Sequence, residues 1–166
     1  MPYKAKGRFA SLAPPLMSKV RPQKEYRMPS LPSILVAAGA FVILGLGCAH
    51  LLFTFRGNKF HPRDLALMAR MQEVSPVISR KMSMWNAWVG FNASHSFGAM
   101  LFGLVYGYLA LAQPGVLFSS WFLLAVGLAL LGGCVFLGWR YWFSTPFRGI
   151  VLSAILYVAG LIAHWA

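Results

Sequence analysis

The sequence predicts an all-α fold: an integral membrane bundle of about four transmembrane helices, with a basic, Pro-rich N-terminal tail. Three observations predict it. Of 166 residues, 58% are hydrophobic and 11% charged, against about 45–50% and roughly 25% in soluble domains. The apolar residues gather in four long runs, each able to cross a hydrocarbon core about 30 Å thick. Fifteen Lys and Arg against three Asp and Glu give a formal charge of +12, and nearly all of it lies outside those runs.

Residues 1–32 form the tail. Lys4, Lys6, Arg8, Lys19, Arg21, Lys24 and Arg27 alternate there with Pro2, Pro14, Pro15, Pro22, Pro29 and Pro32, a punctuation that disfavours a regular helix. A secretory signal would place a short apolar core directly after its first charges. This tail is too long and too interrupted for that and is expected to be retained, extended and attracted to anionic lipid headgroups or an acidic partner.

Residues 33–166 form the membrane domain. The 33–55 run has no charged residue and gives span one; 85–111, 116–139 and 147–166 give spans two, three and four. Gln113-Pro114-Gly115 reads as a tight turn, so spans two and three should form an antiparallel hairpin. The short Arg140–Pro146 link makes spans three and four adjacent as well, with Pro146 suited to opening the last helix.

The 56–84 connection contains PRDLALMARMQEV, in which Leu67, Met68, Met71 and Val74 recur with helical spacing. That pattern suits a helix lying in the membrane interface, its apolar face toward lipid and Arg63, Arg70 and Glu73 toward water. A solvated loop with coincidental spacing is the other reading. Seven basic residues in the tail face eight in the loops, so the count leaves orientation open. The cost of exporting a basic tail favours both termini in the cytoplasm.

Several functions are excluded. A basic chain can bind nucleic acid, but no helix-turn-helix, zinc-finger or RNP pattern is present and none is expected to bind. Cys48 and Cys134 lie in apolar runs and read as small hydrophobes, without disulfide or metal spacing. Asp64, Glu25 and Glu73 lie outside the spans, which removes paired intramembrane carboxylates, and phosphate loops, HExxH and CxxC are absent. No catalytic residue and no metal site is assigned.

Span two carries the candidate site. Trp88, Asn92, His95, Ser96, Ala99, Gly103, Tyr106 and Gly107 fall on one face, while Phe97, Leu101, Leu104, Val105 and Tyr108 lie elsewhere. Ala99, Gly103 and Gly107 form a small-residue ladder suited to close helix packing. Similar ladders are Ala125/Ala129/Gly133 in span three and Gly149/Ser153 in span four. His95 can be a packing residue or the centre of a ligand site, because ionisable groups inside membranes usually face an interior. His50 is its candidate partner. Counted from a shared Phe55/Trp85 boundary the two differ in depth by about 7.5 Å, so a bis-histidine haem is conceivable, as is a quinone or lipid. His61 and His164 read as interfacial.

The stretch WNAWVGFNASHSFGAMLFGLVYGYLAL, with the apolar third span and RYWFSTPFRGIVLSAILYVAGL, resembles bacterial small four-helix membrane proteins of the LIC_13387 type. The resemblance covers about residues 33–166 and rests on the Trp85–Gly98 entrance and the Arg140–Gly149 turn. It implies a bacterial inner-membrane location but no catalytic residue, and the basic tail departs from it. The expected function is a non-enzymatic accessory or structural subunit in contact with other membrane protein subunits. The alternatives are a cofactor- or small-molecule-binding protein built around His95 and a small oligomeric transporter.

Overall fold

A computed structural model describes residues 28–166. Their order is α1 (Leu31–Phe55), α2 (Leu65–Glu73), α3 (Met84–Ala112), α4 (Pro114–Ser119), α5 (Trp121–Tyr141) and α6 (Ser144–Trp165). All the regular structure among them is helical, and α1, α3, α5 and α6 are long and apolar enough to cross a bilayer. The chain is an all-α integral membrane protein. The expected tail lies largely outside the described residues.

The helix ends follow local chemistry. Pro32 opens α1, where a missing N–H costs nothing. The Ser83 hydroxyl accepts from the Asn86 N–H at the start of α3, and the Ser120 hydroxyl from the Leu123 N–H at the start of α5. This Ser120 cap also corrects the expected third span. Pro114 starts a separate short helix, and the chain turns at Ser120 before α5 begins at Trp121. The 113–115 segment is therefore a helix entrance rather than an isolated turn. In the 56–84 connection, the Asp64 carboxylate caps α2 by accepting from Ala66 N–H at 2.8 Å, and the segment is helical rather than an irregular loop.

The centre of the bundle is α1, which packs on α3 along one side and on α6 along the other. A Cβ on Gly103 would lie 2.6 Å from Leu44 Cβ and 2.8 Å from the Ala40 carbonyl oxygen, while one on Gly47 would meet Ala99 and Met100 at 3.0 Å. The seam toward α6 has the same character. Gly160 lies against Val36 and Pro32, Gly39 against Ser153, and the Ser153 hydroxyl donates to the Gly39 carbonyl at 2.9 Å. The small-residue ladders of spans two and four thus bring backbones together on α1.

The ladder of span three does not. Ala125, Ala129 and Gly133 face outward, and α5 packs inward through Leu124, Gly127, Leu131 and Gly138. Its neighbour is α6, as the short link requires; its contact with α3 is slight. The hairpin expected between spans two and three is thus bridged rather than closely packed. Tyr106 of α3 donates to the Leu123 carbonyl at 2.7 Å, and Tyr157 of α6 to the Leu124 carbonyl at 3.1 Å. Gly127 makes room for both rings. Buried Leu117 and Phe118 of α4 close that end of the bundle.

Among the described residues, charged side chains are confined to one end. All eight Lys and Arg of the described residues are in the 56–83 connection or flank the α5–α6 link, as Arg140 and Arg148. At the other end the described residues carry aromatic stacks instead, Phe118 on His164 and Trp121 on Trp165.

Candidate functional site: a histidine cluster at the charged end

The C-terminal half of α1, the first half of α3 and the α5–α6 link converge on His50 and His95. Their ring centroids are 5.3 Å apart, edge to face, closer than the shared-boundary count implies. The register explains the difference. Gly47 is level with Ala99 and Met100, so three residues further along antiparallel α1, His50 comes level with Ser96 and beside His95. Thus α3 extends past the end of α1.

Asn92 fixes His50. Its Nδ2 donates to the Trp88 carbonyl at 2.8 Å, which turns Oδ1 toward His50 Nε2 at 3.1 Å. An amide oxygen only accepts, so Nε2 of His50 carries the proton. Asn92 is buried with both ends of its amide satisfied, which is what makes its position in a span tolerable. Ser96, fully buried, donates to its own helix at the Asn92 carbonyl, 2.9 Å away.

His95 is held by rings. Trp142 meets it edge to face at 5.4 Å and Phe91 lies parallel at 6.3 Å, while Phe60 packs on His50 at 4.5 Å. Trp88, on the predicted polar face, turns outward: 40% exposed, it donates its indole N–H to the Phe60 carbonyl at 3.0 Å and ties the connection to α3. Ala99, Gly103 and Gly107 form the α1 seam, Gly107 against Phe41. His61 packs on Trp85 and His164 on Phe118, both away from the pair.

Phe60 and Trp142 belong to the site but were not legible beforehand, since both sit in connections where no periodicity places a side chain. Tyr157 continues the Gly149/Ser153 face of α6 at the next i+4 position, and that spacing is the signal that marks it.

Chemically, the cluster is two imidazoles in an aromatic cage, one committed to an amide. A haem iron would need both imidazole nitrogens facing it from opposite sides, whereas Nε2 of His50 is engaged by Asn92 and the two rings touch. The present packing does not fit that group. The described residues contain no group of three or more His, Cys, Asp or Glu suited to a metal ion.

Fold and site together define an α-helical integral membrane bundle, centred on its first span, with an aromatic-caged histidine pair at its basic end. No protein-family model, curated protein or solved structure matches this chain.

Proposed function

We propose that this chain is a non-enzymatic accessory or structural subunit of a larger assembly in a bacterial inner membrane, with another subunit's transmembrane helix docked on α5. Membership of the LIC_13387-type proteins, and both termini in the cytoplasm, are parts of the same proposal. The outward face of α5 carries the reading. Ala125, Ala129, Gly132 and Gly133 are exposed within one third of the helix circumference, and a Cβ on either glycine would meet nothing within 4 Å. A mid-helix glycine costs about 0.5–1 kcal/mol relative to alanine. Among the described residues no contact offsets that cost, whereas close approach by a second helix does.

Mild-detergent extraction with crosslinking tests the proposal. Wild-type chain should copurify with another membrane protein, and Gly132→Leu or Gly133→Leu should release it while the bundle stays folded. Recovery of the wild type from native membranes only as an isolated monomer would sink the reading.

A second reading has one observation in its favour. His95, half-buried within a span, is held by rings rather than hydrogen bonds, which suits a small molecule that hydrogen-bonds the imidazole. The haem version requires the His50–Asn92 bond to open and predicts a Soret band in haem-replete protein; a featureless visible spectrum removes it. For a quinone, binding should shift the fluorescence of Trp142, and Trp142→Phe should abolish the shift.

A further inference from the structure

We propose that the 58–63 segment and α2 form a binding site for the phosphodiester headgroup of an anionic phospholipid, independent of the accessory-subunit reading. Two adjoining depressions of about 360 and 350 Å³ share Lys59, His61 and Pro62. Asn58, Arg63 and Met68 line the second, and Met71 and Trp88 the first. This is the composition a headgroup needs: basic and amide donors for the phosphate oxygens beside apolar surface for the glycerol and upper acyl carbons.

The charge balance is what points to an anion. The acidic groups of this end are already engaged: Asp64 caps α2, and Glu73 pairs with Arg70 at 3.0 Å, the one ion pair among the described residues. Neither Lys59 nor Arg63 is ion-paired among the described residues, and both line the second depression. The Lys59 Nζ lies 5.9 Å from the centre of the Phe53 ring at the end of α1, and the Trp88 indole ties Phe60, which lines the first depression, to α3. Location argues for a lipid source. The site adjoins the end of a span, and just beyond α2 the side chains of Val77 and Ile78 stand fully exposed beside Arg80 and Lys81. Bare aliphatic side chains next to cations suit a segment resting in the headgroup layer.

Native mass spectrometry of the full-length protein, titrated with phosphatidylglycerol, phosphatidylcholine or inorganic phosphate, tests the site. Phosphatidylglycerol should be retained in preference to phosphatidylcholine. Lys59→Gln with Arg63→Gln should weaken it by about 30-fold, the effect of two basic contacts. Arg140→Gln with Arg148→Gln removes equal charge from the same end, outside both depressions, and should leave binding within about threefold. Displacement of the lipid by millimolar inorganic phosphate would assign the same donors to a free anion instead of a lipid. Equal retention of both lipids, or equal losses from the two double variants, overturns the proposal in favour of diffuse surface attraction.

Discussion

At the scale of single residues, two glycines of similar appearance in the sequence have opposite roles. Gly103 sits where any Cβ collides with the backbone and Cβ stem of α1, atoms that cannot swing aside. Gly103→Ala should therefore lower stability by about 1–3 kcal/mol, the range for overpacking, seen as a reduced melting temperature in detergent. Gly133 borders open space, and Gly133→Ala should leave the isolated chain unchanged or slightly more stable. The histidine–asparagine contact makes a second prediction. A double-mutant cycle over His50→Ala and Asn92→Ala should give a coupling near 0.6 kcal/mol, the usual scale for hydrogen bonds between membrane helices. Additive losses would mean the bond contributes only position. The polar face of α3 was legible because one helix's periodicity fixes it. His50 as the neighbour of His95 was legible only in kind, since its depth depended on a register between helices that no single helix encodes.

Among the elements, α1 has two helical neighbours and α5 effectively one. Backbone opening is harder where packing and interhelical hydrogen bonds are denser. Hydrogen exchange in detergent micelles should accordingly protect the middle of α1, around Ala40 and Ile43, well beyond the middle of α5, around Leu130 and Gly132. Uniform protection across the four long helices would contradict this hierarchy. The existence of each long helix was plain from its apolar run, while α4 was hidden because Gln113-Pro114-Gly115 satisfies the rules for a turn and for a helix start equally well. The orientation of α5 is ambiguous in the sequence for a related reason. Small residues occur on both its faces, and which face turns inward is decided by Tyr106 and Tyr157 arriving from other helices to claim Gly127.

For the whole molecule, the dominant feature is that its described cations all leave the bilayer at one end. With four spans, Leu31 at the start of α1 and Trp165 at the end of α6 share the opposite side. If the tail governs insertion, as proposed, single cysteines introduced at Lys59 or Arg80 into a Cys48→Ala/Cys134→Ala background will react with an impermeant reagent from outside intact cells. A cysteine appended after Ala166 will then react only after lysis. The reverse labelling pattern would show that the eight cations near the span ends outweigh the tail.

The Ser153–Gly39 bond joins residues 114 positions apart, and this separation sets an order of events during synthesis. At about 5–20 residues per second, α1 waits roughly 6–23 s in the membrane before the helix that covers its second face has been made. Throughout that interval the Gly39 side of α1 lacks its partner, whether or not α3 has already docked. A chain stopped after Tyr141 would remain in that condition permanently, open to membrane proteases or to capture by any helix with a similar small-residue face. The last span to be made is the one that completes the first.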